Sequence, residues 1–509
     1  MLARAHAFSI DGVDARRVCV EVDIRPGLPA FTIVGLASAA VREARERVRA
    51  ALLNSGFSFP RQRVTANLAP AYLQKCGSVF DLALACALLA ASGQVRKRGL
   101  ERLALFAELS LSGELRPCSG VLSVADAARR EHFGALVVAA ANGGEAAQVD
   151  GLAVAGLGTL RDVAEVLDGR RRIRSPRLAQ WRAPPSASIA DVGDLADVRG
   201  QRDAITALLI AAAGGHNLLL SGLPGVGKTM LARRLPSIMP PLRRAEAIEV
   251  TKLHGMTGAH VGDGLIGVRP FRAPHHTISA SGLVGGGRRA QPGEAVLAHR
   301  GVLFLDELSE FSRPALDALR QPLEQGHVAI TRGQRTVVYP SRFVLVAATN
   351  PCPCGYAGGG GRCSCSAVAL SRHHYRLSGP LLDRIDLIVH LQAPTADDLC
   401  APPQTSSQRA RAMVVAARAR QAARLRGIPA TCNAELTAAQ LRARGAIDPE
   451  ATQLLAHAYR RGRLSVRGHL RMLRVARTVA DLAGSDRVCS QHVAVAVAAH
   501  SNVGGRGSS

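Results

Sequence analysis

The chain has 509 residues, 47% hydrophobic and 20% charged, an ordinary globular composition with length for about three domains with buried cores. Its net charge of +25, from 64 basic and 39 acidic residues, is carried almost wholly by arginine, since only Lys75, Lys97, Lys228 and Lys252 are lysines; such a field favours nucleic acid over an acidic protein partner. No signal peptide opens the chain, the longest apolar stretch (residues 82–91) is about half a membrane span, and eleven cysteines without a secretory signal argue against a disulfide framework, so a cytoplasmic protein with no membrane partner is expected.

Residues 1–168 alternate short strands, at 18–24, 31–34 and 135–140, with helices at 39–54 and 79–91. This reads as a compact α/β domain without a phosphate loop. Residues 169–197 form a basic, Pro/Ser-rich linker, with Arg170, Arg171, Arg172 and Arg174 followed by Pro184-Pro185-Ser186-Ala187-Ser188. A nucleotide-binding domain is expected over 198–393. From 394 to 509 the pattern is helical and Ala/Arg-rich, with a short Gly/Ser tail.

The apolar run Asn217-Leu218-Leu219-Leu220-Ser221 reads as a buried strand, and it leads straight into Gly222-Leu223-Pro224-Gly225-Val226-Gly227-Lys228-Thr229. Glycines let the backbone N–H groups curl toward phosphate oxygens, Lys228 supplies charge for the β- and γ-phosphates, and Thr229 offers a hydroxyl to Mg²⁺ at a helix N-terminus. The motif therefore predicts an ATP and Mg²⁺ site, with Gly222, Pro224, Gly225, Gly227, Lys228 and Thr229 as its cradle. Downstream, Val302-Leu303-Phe304-Leu305 is a second buried strand ending in Asp306-Glu307. Two carboxylates at such an end are costly unless they serve a cation and a water: Asp306 for the metal shell, Glu307 to orient the attacking water.

Cys352-Pro353-Cys354 and Cys363-Ser364-Cys365 place four thiols within 14 residues, flanking a Gly-rich loop. Cys352, Cys354, Cys363 and Cys365 thus match a closed structural Zn²⁺ site, with His373 or His374 as an alternative ligand. Two Gly/Arg segments are candidates for phosphate contacts with DNA: 281–289, carrying Arg288 and Arg289, and 328–338, which reads as a hairpin with Arg332 and Arg335 at its tip. Aromatic residues make up only 3% of the chain, so base stacking is not expected to dominate. On a helix beginning near Val466, Arg467, Arg471 and Arg474 share one face, open to nucleotide, neighbour, DNA or solvent.

Further residues carry a family resemblance. Ala347-Ala348-Thr349-Asn350, Leu381-Leu382-Asp383-Arg384-Ile385-Asp386, Leu464-Ser465-Val466-Arg467 and Phe271-Arg272-Ala273-Pro274-His275-His276 together closely resemble the magnesium-chelatase-like AAA+ proteins of the ComM/YifB family. The resemblance covers nearly the whole chain. It implies an AAA+ P-loop α/β domain and a C-terminal helical lid, with Asn350 sensing the γ-phosphate and Arg467 opening the sensor-two helix. It also implies a homo-oligomeric ring, a hexamer, in which Arg384 reaches the nucleotide of the neighbouring subunit, and it puts the Gly/Arg inserts in the central pore. The segment Leu109-Ser110-Leu111-Ser112-Gly113-Glu114-Leu115-Arg116-Pro117 is similar to the Lon-protease-like domain, but Val79 and Leu122 stand where the serine and lysine of the protease belong. Neither can attack or activate, and Ser78 is one residue away, so a proteolytically inactive scaffold or DNA-contact module is expected. The implied activity is ATP-driven helicase or branch-migration work on single-stranded or branched DNA, on recombination intermediates in natural transformation. Its rivals are a metal-insertion ATPase of the magnesium-chelatase type and a nucleotide-switched DNA scaffold.

Overall fold

The computed structural model describes residues 1–500 except 36–38, 74, 76, 174–192, 258–263, 288–289, 333–334, 358–361, 377–378 and 461–465. Contacts divide the chain into two units, one made of residues 1–182 with 247–266, the other of 183–246 with 267–509.

The first unit is a mixed seven-stranded sheet of β1 (Leu2–Asp11), β2 (Asp14–Arg25), β3 (Ala30–Val34), β4 (Arg63–Ala69), β5 (Leu103–Phe106), β6 (Ala135–Ala139) and β7 (Ala153–Leu157), in the order β3-β4-β2-β1-β5-β6-β7. β1, β2 and β4 are joined by antiparallel pairs; β5, β6 and β7 are parallel neighbours. Among the helices that accompany the sheet are α1 (Ala39–Asn54), α2 (Asp81–Ala91) and α3 (Val121–Arg130). α2 is apolar on every face after Asp81, and accordingly all its residues are buried. Residues 247–266, which include most of α6 (Arg244–Met256) and are expected from sequence order in the nucleotide-binding domain, pack in this unit: Ile248 and Leu265 join the core around α3, and Lys252 donates to Asp126 at 2.7 Å. Apolar contacts and one charge pair, set by tertiary packing, thus override sequence order.

The second unit is built on β8 (Leu218–Gly222), β9 (Phe271–Arg272), β10 (Val302–Leu305), β13 (Val344–Thr349) and β14 (Leu387–Leu391), ordered β9-β10-β13-β8-β14 and parallel throughout; β11 (His327–Arg332) and β12 (Arg335–Pro340) form a separate hairpin. β8, β10 and β13 are fully buried, as a parallel sheet covered on both faces requires. Alternation sends Leu218 and Leu220 into one core and Leu219 into the other. The first core also holds α4 (Arg202–Gly214), α5 (Lys228–Ile238) and residues from the C-terminal helices α7 (Ser407–Arg424), α8 (Pro449–Arg460), α9 (Val466–Leu482) and α10 (Ser490–Ala498). The C-terminal helices therefore share a core with this five-stranded sheet. Among the described residues no helix is long and apolar enough to cross a membrane.

Candidate nucleotide site and metal centre

β8 lies between β13 and β14, so the chain leaves it only at the sheet edge. The loop beyond runs through Gly225 and Gly227 at φ +80° and +94°, a backbone region strained for any L side chain. Gly227 precedes α5, whose first two residues are Lys228 and Thr229. The Lys228 ammonium donates to the carbonyls of Gly222 (2.7 Å) and Leu223 (2.9 Å) and to Asn350 Oδ1 (3.0 Å). Burial lowers its pKa, against the opposing pull of the Asp306 and Glu307 carboxylates.

The Thr229 hydroxyl donates to Asp306 Oδ2 at 2.8 Å. A hydroxyl beside a carboxylate is the hard oxygen donor set that Mg²⁺ takes, so these residues fit the ion. Glu307 adopts φ +52°, its N–H donates to Asp306 Oδ1 at 3.0 Å, and its half-exposed carboxylate stands 3.5 Å from His276 Nδ1. Because β8, β10 and β13 are parallel neighbours, the residues that follow each emerge at one edge. Lys228, Thr229, Asp306, Glu307 and Asn350 are thereby brought together. From sequence His276 is only a mark of family resemblance. Strand order would have found it, since β9 runs parallel beside β10 and His276 follows at the same edge.

Arg384 and Arg467 lie elsewhere. They line a cleft of about 680 Å³ together with Asn217, Gly301, Phe343 and Asp386, residues that precede β8, β10, β13 and β14. That is the amino edge of the sheet, and β8's five residues at about 3.3 Å each separate it from the phosphate loop by roughly 13–17 Å. Arg384 is paired with Glu324. Of the three arginines on the predicted face, only Arg467 is exposed; Arg471 donates to the carbonyls of Ile385 (2.7 Å) and Leu382 (3.3 Å), and Arg474 to that of Leu436 (2.7 Å). These last two are structural clamps, because a guanidinium inside a packed helix face must satisfy its donors on nearby carbonyls.

The four cysteines converge. Their Sγ atoms all lie within 4.8 Å of one another, with Cys352–Cys354, Cys354–Cys363 and Cys352–Cys363 at 3.3, 3.6 and 3.8 Å. A tetrahedron with Zn–S bonds of about 2.3 Å has S···S edges of about 3.8 Å, so the donor set fits Zn²⁺. Cys354 is drawn down to about 6 by the backbone N–H of Tyr356 and the Cys352 thiol. His373 does not join this set, which corrects that alternative: among the described residues the group that converges is the four cysteines, and buried His373 donates from Nε2 to the Asn350 carbonyl at 3.0 Å. The His374 side chain lies outside the described residues. The centre touches the phosphate loop, because a Cβ built on Gly355 would stand 2.7 Å from Pro224 Cγ.

Sequence comparison adds the family. Residues 20–142 match the family described as subunit ChlI of Mg-chelatase, 194–399 match magnesium chelatase, subunit ChlI, and 404–500 match the C-terminal part of that subunit. An uncharacterized protein of Mycobacterium tuberculosis is 45% identical over 97% of this chain and 98% of its own length. The protein YifB of Escherichia coli is 41% identical over 97% and 96%, and competence protein ComM of Haemophilus influenzae is 40% identical over 97% of both. The chain belongs to the magnesium-chelatase-like ComM/YifB family of AAA+ proteins.

In this ComM/YifB-family chain Val79 packs half-buried against the first unit's core, and Leu122 is fully buried on α3. Both are core residues. The hairpin expected around 328–338 is β11–β12, and Arg332 pairs with Arg335 in its last register position; their side chains lie outside the described residues. Arg288 and Arg289 also lie outside them.

Proposed function

We propose that this ComM/YifB-family protein hydrolyses ATP as a ring, a hexamer, and uses the cycle to drive helicase or branch-migration movement on single-stranded or branched DNA. The observation that supports it best is the split of the charged residues between two sheet edges. Lys228, Thr229, Asp306, Glu307 and Asn350 gather at one, while Arg384 and Arg467 face an open cleft at the other. Arginines so far from their own phosphate loop serve the loop of a neighbour.

In this reading bound Mg²⁺–ATP supplies the γ-phosphoryl group. Lys228 and the loop N–H groups hold phosphate, Thr229 and Asp306 hold Mg²⁺, Glu307 orients water and Asn350 senses the γ-phosphate. Arg384, joined by Arg467, stabilises charge on the transferring group from the next subunit, as a planar permanent cation can. The four cysteines hold a structural Zn²⁺ that braces Asn350 and the phosphate loop. Arg288, Arg289, Arg332 and Arg335 grip DNA phosphates, and residues 1–168 form a proteolytically inactive scaffold. The name of the Haemophilus relative supports natural transformation, with recombination intermediates as substrates, as the setting.

The match to magnesium-chelatase subunits favours metal insertion as the second reading. ATPase turnover with single-stranded DNA, forked DNA or porphyrin separates the two, with Glu307→Gln as the control for hydrolysis at this site. Stimulation by DNA together with strand movement supports the motor. Stimulation by porphyrin alone replaces it with metal insertion, and DNA binding without stimulation or movement replaces it with a nucleotide-switched scaffold.

A further inference from the structure

Asn217 occupies the position immediately before β8, at the amino edge of the sheet. Its side chain is spent on two elements at once. Nδ2 donates to the Arg384 carbonyl at 2.8 Å, and Oδ1 accepts from Leu345 N at 2.9 Å in β13. Its backbone adds three bonds to the same region: N donates to Asp386 Oδ2 at 3.2 Å, and O accepts from Asp386 N and Leu387 N at 3.1 and 3.0 Å. His216, fully buried, lies against the other side of that carboxylate, Nδ1 at 3.3 Å, while its Nε2 bonds to Thr478 of α9 at 2.8 Å. Burial alone would raise the Asp386 pKa, but the His216 bond and charge and nearby Arg471 hold it below the usual carboxylate range.

Three carbonyls at and beside Arg384 are therefore taken: Leu382 and Ile385 by Arg471, Arg384 by Asn217. A side chain can aim only as well as its backbone is held, and a 1 Å error at a reacting centre is costly. The other end of β8 is just as firmly tied, since Lys228 holds the Gly222 carbonyl. One buried strand joins the subunit's own phosphate loop to the backbone of the arginine that serves the next subunit.

We propose that Asn217 is a positioning residue that aims Arg384 at the neighbour's nucleotide, and that β8 carries the state of one phosphate loop to the next. The inference rests on the reading of Arg384 as a trans-acting arginine. Asn217→Asp keeps the shape and the acceptor for Leu345 but loses the donor to Arg384; Asn217→Ala loses both. In the full-length chain both variants should lower kcat at least tenfold with the ATP affinity of single subunits unchanged, and should bring the ATP cooperativity of the ring toward a Hill coefficient of one. Arg384→Ala/Asn217→Ala should be no slower than Arg384→Ala, because the two act as a unit. Mixed with Lys228→Ala subunits, Asn217→Asp should regain turnover, its own intact site being served by an intact arginine.

If Arg384→Ala turns over at the parent rate, the trans-acting reading fails. If Arg384→Ala is inactive while Asn217→Asp keeps parent kcat and cooperativity, the positioning role alone is overturned. An Asn217→Asp that matches the parent while Asn217→Ala merely melts early reduces Asn217 to a β13 fastener.

Discussion

Replacing Gly355 by alanine tests whether the cysteine centre presses on the phosphate loop. Gly355 sits at φ +86°, and the added Cβ would stand 2.7 Å from Pro224 Cγ and 3.0 Å from Cδ. Apolar carbons pack best at about 3.5–4.0 Å, so one side must yield by roughly 0.8 Å. The proline ring cannot rotate away, and the next residue back, Leu223, has its carbonyl held by Lys228. The left-handed backbone alone costs an alanine about 1–2 kcal/mol, and the overpacking adds about 1–3 kcal/mol. If the loop is what moves, the second term appears in nucleotide binding, as a loss of roughly 5- to 150-fold at 1.4 kcal/mol per decade. Gly427→Ala separates the two terms, because Gly427 has φ +81° and nothing within 4 Å. It should lose stability and keep its ATP affinity. Titration of the full-length variants with a fluorescent ATP analogue reads the affinity, and thermal melting reads the stability. A Gly355→Ala protein that binds ATP within twofold of the parent and melts with Gly427→Ala would refute the mechanical link.

Purified protein should contain about one Zn²⁺ per chain by metal analysis, and Cys352→Ser/Cys354→Ser should lose it together with nucleotide affinity; a metal-free protein with full turnover sinks the zinc reading. Arg332→Ala/Arg335→Ala should flatten the salt dependence of single-stranded DNA binding by roughly 0.7 log unit for each phosphate no longer gripped, and impair strand movement more than basal ATPase. Unchanged strand movement would make the hairpin tip an ordinary solvated turn. Asp481 is fully buried, paired with Arg477 at 3.0 Å and Arg424 at 2.7 Å, so Asp481→Ala should cost about 3–5 kcal/mol by leaving buried charges uncompensated. Denaturant titration checks it, and a shift under about 1 kcal/mol would mean that the arginines find other partners.

The Gly222–Thr229 loop, the Asp306-Glu307 pair and the cysteine array stand out in the sequence because each is a short contiguous motif whose expected chemistry follows from neighbouring residues. Helix α1 was legible over its full length, 39–54, for the same local reason. Other features depended on which strands lie side by side. The Lys228–Asn350 bond spans 122 residues and the Asn217–Arg384 bond 167, and both exist only because β8 sits between β13 and β14. His276 meets Glu307 because β9 borders β10, and Arg467 faces the edge opposite Lys228 because α9 packs into the core beneath the sheet. Hydrophobic period says that a strand is buried and that a helix has an apolar face. It carries no information on strand order or on which edge a helix end reaches, so the identity of the site's parts came from the sequence, and their division between two sheet edges came from tertiary packing alone.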